Sequence, residues 1–131
     1  ELRNANIEAP ILNWGYTPDA DYETLIENNV SATVSTPQQA EALNEAAGRL
    51  GVVATVHVKV DTGMGRLGFQ PNSGAIRAIA EIAALPNVEL EGIFTHFAVS
   101  DAADKTYTRH QYELFTWVLS ELRRLGVEPE V

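Results

Sequence analysis

Short apolar runs rich in β-branched residues alternate along the chain with longer stretches whose apolar positions recur every three to four residues. A period of two marks strands and a period of 3.6 marks helices, so the alternation predicts βα units arranged around a parallel sheet. The first strand spans Pro10 to Gly15, and its helix opens at Thr17-Pro18 and buries Tyr22, Leu25 and Ile26. The second strand spans Ser31 to Ser35. Thr36 and Gln39 then have the spacing of a capping box, and Ala40, Leu43, Ala47 and Leu50 form one stripe that Gly51 ends.

The third strand, Thr55 to Val60, separates two faces most clearly: Val56, Val58 and Val60 should meet helices while Thr55, His57 and Lys59 point the other way. After a glycine-rich loop, Ile76, Ile79, Ala80 and Ala83 define the next helical stripe. Leu90 to Phe97 reads as the fourth strand. A last helix from Tyr107 to Leu125 places Phe115, Val118, Leu122 and Leu125 in register before Gly126. Four such units predict an α/β fold, half of a TIM-type (β/α)8 barrel, although periodicity alone also suits a small open sheet. Residues 126–131 read as the approach to another strand, and Glu1-Leu2-Arg3 has no leader character. The chain is expected to be an internal piece of a longer barrel.

Composition narrows the function. With 131 residues, 45% of them hydrophobic, the chain can bury the core of one domain. Its 18 acidic against 9 basic side chains give a net charge of −9, which opposes nucleic-acid and anionic-membrane partners. The lack of cysteine excludes disulfides, thiolate zinc sites and a cysteine nucleophile, a pattern that fits a cytoplasmic protein. No histidine and carboxylate spacing makes a metal site, and none is expected.

Parallel α/β architectures bind ligands at the carboxyl ends of their strands, which directs attention to Lys59 through Arg66 and to Thr95 through Asp101. Gly63, Gly65 and Gly68 spell G-x-G-x-x-G, so a non-catalytic nucleotide-binding module has to be weighed. Gln70-Pro71-Asn72, however, delays the helix past the last glycine, and no Gly-Lys-Ser/Thr follows. Lys59 is either a barrel lysine neutralised by Asp61 or a lysine with altered chemistry. Arg66 is either a solvated surface residue or a planar clamp for a carboxylate or phenolate. His96, closing the fourth strand, is either a satisfied core histidine or a functional one. His57 and His110 receive no role, and Tyr107-Thr108 and Gln111-Tyr112 read as helix surface and packing.

The stretch Lys59-Val60-Asp61-Thr62-Gly63-Met64-Gly65-Arg66-Leu67-Gly68 closely resembles a loop of the alanine racemases, and Leu90 to Ala98 resembles the strand that follows it there, in the same order and at the same separation. Weaker likeness continues through residues 7–12 upstream and 104–108 with Gln111 and Phe115 downstream. The resemblance implies a segment of an N-terminal barrel domain that binds pyridoxal phosphate, in a homodimeric enzyme that interconverts L- and D-alanine for cell-wall synthesis. Serine or broad-specificity racemases are the near alternatives. It further implies that Lys59 is a carbamylated structural lysine and that Arg66 contacts the cofactor's phenolic oxygen and the amino-acid carboxylate. His96 would support, from behind, an arginine that faces the pyridine nitrogen. The family's cofactor lysine, phosphate-binding residues and catalytic tyrosine match nothing here, so no catalytic residue is assigned and the segment alone is expected to be inactive.

Overall fold

The computed structural model covers all 131 residues, Glu1 to Val131. Four strands, β1 (Ile11–Asn13), β2 (Val30–Val34), β3 (Ala54–Lys59) and β4 (Val88–Phe94), alternate with four helices, α1 (Tyr22–Glu27), α2 (Pro37–Leu50), α3 (Ser73–Ala83) and α4 (Thr106–Arg124). All neighbouring strands pair in parallel, in the order β1-β2-β3-β4. Successive helices touch one another, α1 with α2, α2 with α3 and α3 with α4, so they form one layer on one face of the sheet. A doubly wound sheet would reverse its strand order and carry helices on both faces. Sequential order beneath a single helical layer is the wall of a barrel, as the alternation of the sequence predicts.

The core lies between sheet and helices. Val34, Val56 and Val58 from the strands and Val60 just after β3 meet Leu43, Ile79, Val118 and Leu122 from the helices, all essentially inaccessible to solvent. The opposite face carries Ser31, Thr33, His57 and Lys59, so the two-faced reading of β3 holds. Local signals act as the sequence indicates. Thr36 Oγ1 accepts from the Gln39 amide at 3.3 Å and caps α2, but the reciprocal bond runs from the Ser35 amide to Gln39 Oε1 at 2.8 Å, one residue earlier than in a standard box. Asn72 Oδ1 caps α3 through the Ala75 amide at 3.0 Å.

Three expectations are corrected. The first helix does not open at Thr17. Asp19–Asp21 form a 3-10 turn before α1, and Thr17 Oγ1 instead accepts from Asn13 Nδ2 at 2.8 Å, bracing the end of β1. Leu125 lies beyond α4 and is 54% exposed, because the helix ends at Arg124. The fourth strand begins at Val88 and stops at Phe94, leaving Thr95 and His96 in the loop above it.

A β-bulge explains why strict alternation misplaces that strand. Val56 pairs with Leu90 but His57 pairs with Gly92, so Glu91 is an extra residue in β4. Leu90 and Ile93 both turn to the helices, which leaves Glu91 and Gly92 together on the opposite face. Gly92 leaves room there for the His57 imidazole, which a Cβ would displace. Beyond α4, the Val131 amide donates to Glu91 O at 3.1 Å and the Ile93 amide donates to Val131 O at 2.9 Å, so the tail lies along β4 in a parallel register.

Candidate functional site at the carboxyl ends of β3 and β4

The loop from Asp61 to Phe69 leaves the end of β3 and returns to it. The Asp61 amide donates to Phe69 O and the Phe69 amide to Lys59 O, each at 2.9 Å, which closes the loop on its own strand. Gly68 makes that return possible. Its φ is +129°, and a Cβ would sit 2.7 Å from Asp61 N and 2.8 Å from Lys59 O. Inside the loop Asp61, 5% exposed, organises the backbone. Its Oδ1 accepts from the Gly63 and Gly65 amides at 3.0 and 2.9 Å, and its Oδ2 from the Arg66 amide at 3.1 Å and Gln70 Nε2 at 3.3 Å. Burial alone would push this carboxyl up, but the four hydrogen bonds outweigh it and hold it below its usual 3.8.

These bonds bear on two alternatives left open by the sequence. The glycine-loop amides of Gly63, Gly65 and Arg66 point inward at a carboxylate, and the first turn of α3 is capped by Asn72, so these amides are not offered to a phosphate. Nor does Asp61 neutralise Lys59, because its carboxylate is consumed by its own loop and none of the four ion pairs in the chain includes Lys59. Lys59 is 5% exposed, with its Nζ 5.5 Å from the centre of the Phe94 ring. Burial pushes its ammonium down, the nearby Arg66 charge adds to that, and Asp61 opposes it only in part, leaving Lys59 below its usual 10.5. Arg66 is exposed at the rim and its guanidinium makes no hydrogen bond or ion pair.

His96 is not a core histidine. Its ring is exposed, and only its carbonyl is engaged, accepting from Gln111 Nε2 at 3.4 Å. Lys59, Arg66 and His96 thus share the carboxyl edge of two adjacent strands. A pair of cations with no carboxylate partner fits an anionic oxygen, whether phenolate or carboxylate. The other lysine, Lys105, is occupied in the loop before α4, where its Nζ donates to Ser100 O at 2.6 Å. A groove of about 580 Å³ between β1 and α1, lined by Ile11, Asn13, Thr17, Leu25 and Val30, gathers none of Lys59, Arg66 or His96.

Two sets of side chains near the site have partners that the sequence reading does not assign. Gln111, fully buried, accepts the Ala98 amide on Oε1 at 2.9 Å and donates through Nε2 to Thr62 Oγ1 at 3.3 Å, while Tyr107 one turn earlier donates to Gly63 O at 2.9 Å. The signal was available, because Gln111 stands at the i−4 and i−7 positions of the apolar stripe through Phe115 and Val118, where a polar side chain must find partners. Below Lys59 on the same face, His57 Nε2 lies 2.7 Å from Glu91 Oε2, which also accepts from Ser31 Oγ at 3.2 Å. That pairing needs the bulge, which sequence alone does not show.

Fold and site together define a segment of a parallel barrel wall with an exposed, unpartnered arginine at its rim and a buried lysine close by. The chain belongs to the alanine racemase N-terminal domain family, whose sequence pattern it matches over residues 1–131. It is 42% identical over its full length to an alanine racemase of Clostridium tetani and covers 34% of that protein. Alanine racemase from Clostridium difficile 630 superposes with a TM-score of 0.98 at 43% identity, over 99% of this chain and 34% of that one. Histidine racemase from Leuconostoc mesenteroides subsp. sake superposes with a TM-score of 0.89 at 28% identity, over 99% of this chain and 34% of that one. The chain therefore spans about a third of the length of the relatives it matches.

Proposed function

We propose that this segment is one wall of a pyridoxal-phosphate-dependent amino-acid racemase, acting on alanine in a cytoplasmic homodimer that supplies D-alanine for the cell wall. The observation that carries the reading is the partnerless Arg66 guanidinium beside buried Lys59, on a loop that Asp61 locks from within. Bound pyridoxal phosphate would act as an electron sink for the carbanion left when the α-proton departs. Arg66 fits the cofactor's phenolic oxygen and the amino-acid carboxylate, since a guanidinium binds such oxygens in a fixed plane. Its work is to orient the amino acid, a positioning effect rather than proton transfer. Lys59 is the carbamylated lysine of this reading. A neutral amine that captures carbon dioxide replaces a repelling cation with an anion able to hold Arg66. His96 stands on the neighbouring loop as the support for a further arginine.

The residues that bond the cofactor and move protons on its two faces belong, on this reading, to the remaining two-thirds of the protein, so the 131-residue chain alone does not racemise alanine. That a histidine racemase shares this segment's fold means that the substrate side chain is not selected by the fold of this wall. Full-length protein with pyridoxal phosphate, assayed for D-alanine formed from L-alanine, tests the proposal. Turnover is expected, and Arg66→Lys should raise KM by about tenfold or more through loss of the planar clamp. Failure to racemise alanine while another amino acid turns over would move the specificity, and failure with every amino acid would overturn the activity.

A further inference from the structure

The fully buried Gln111 is the one side chain that bonds both loops of the site. It comes from neither, standing on the second turn of α4. Its Oε1 holds the Ala98 amide and its Nε2 holds His96 O in the loop after β4, while the same Nε2 reaches Thr62 Oγ1 in the loop after β3. Thr62 Oγ1 in turn lies 2.8 Å from Thr95 Oγ1, so the bases of the two loops also meet directly, through hydroxyls that Gln111 orients. Thr62 is 2% exposed, and little water can replace these partners if one is removed. The planar amide offers one acceptor and two donors at fixed angles, and every contact here uses them in that sense.

We propose that Gln111 is a positioning residue that sets the separation and tilt of the Arg66 loop relative to the His96 loop, and thereby the place where the amino-acid carboxylate binds. This rests on the racemase reading above. Asp61 gives the Arg66 loop its internal shape, but nothing in that loop fixes it against its neighbour except Thr62, and Tyr107 from the same helix holds only Gly63. The helix therefore acts as a clamp in which Gln111 spans both loops, while Tyr107 holds Gly63 and Thr108 Oγ1 donates to Val99 O at 3.3 Å at its edges.

The test uses the full-length holoenzyme with Gln111→Met, which keeps shape and removes every hydrogen bond, and with the pair Thr62→Val and Thr62→Ser. Gln111→Met and Thr62→Val should raise KM for the amino acid by about tenfold to a hundredfold, with a smaller fall in kcat, because a carboxylate clamp displaced by a fraction of an ångström binds substrate badly. Thr62→Ser, which keeps the hydroxyl, should restore KM to within about threefold of the parent. A variant that melts lower but keeps its KM would show Gln111 to be merely structural and would overturn the inference. Amide exchange in the same variants reads the coupling without turnover: the amides of Gly63 to Arg66 and of Ala98 should lose protection together. Loosening of only one loop overturns the proposal even if the protein has no racemase activity, and an inactive parent whose loops do loosen together refutes the racemase reading while leaving the clamp standing.

Discussion

Replacing Asp61 with asparagine is the sharpest probe of how the Arg66 loop is held. In the native loop Oδ1 serves Gly63 and Gly65 and Oδ2 serves Arg66 and Gln70. Asparagine can keep its single oxygen on the first pair, but its amide then faces the Arg66 N–H donor against donor, and Gln70 can only keep a contact by turning its own amide over to accept. Two bonds to an ionised acceptor are lost, and such bonds contribute roughly 1.5–3 kcal/mol each. The Arg66 and Gln70 contacts, at 3.1 and 3.3 Å, belong at the weak end, so the loop loses about 3 kcal/mol. At about 1.4 kcal/mol per tenfold, amide exchange at Gly65 and Arg66 should accelerate about a hundredfold. The native carboxyl titrates below its ordinary 3.8, so its contribution is complete above that value and fades as the pH falls through the lower folded value. Native protein should lose loop protection in acid, and Asp61→Asn should show no such step. Hydrogen exchange followed residue by residue decides the matter: Asp61→Asn exchange within about threefold of native, or an acid step that persists in the variant, would refute the central place given to this carboxylate.

Three further outcomes follow from the same geometry. In full-length protein held in carbon-13 bicarbonate at non-acidic pH, the lowered affinity of Lys59 for its proton should yield a carbamate resonance that disappears in Lys59→Arg, and no resonance in the parent would refute the modification. Gly68→Ala forces a Cβ to 2.7 Å from the Asp61 nitrogen at a φ of +129°, and should cost roughly 3 kcal/mol of stability in urea, a loss under 0.5 kcal/mol contradicting the reading. Thr36→Ala removes the cap of α2 and should cost about 1 kcal/mol in the same titration, since the Ser35 bond to Gln39 survives; no measurable change would show the cap to be idle.

The sequence by itself determined what depends on short-range periodicity. Alternating valines in 56–60 separate a core face from a polar face, Thr36 and Asn72 start helices within three residues of themselves, and Gln70-Pro71-Asn72 keeps α3 clear of the glycine run. Lys59 and Arg66 are picked out by counting to the end of β3, whereas His96, read as closing β4, lies two residues beyond that strand. Tertiary structure alone decided the rest. The bulge at Glu91 arises from pairing with β3, and no propensity in β4 shows that Glu91 and Gly92 will face the same way, so neither the true end of the strand nor the pair His57–Glu91 could be read. Whether Asp61 would neutralise Lys59 or turn into its own loop depended on how the chain returns through Gly68 to β3. The burial of Gln111 is legible from its place in the apolar stripe of α4, but its partners are not, since these lie 13, 15 and 49 residues away in sequence, on loops brought together only when the sheet forms.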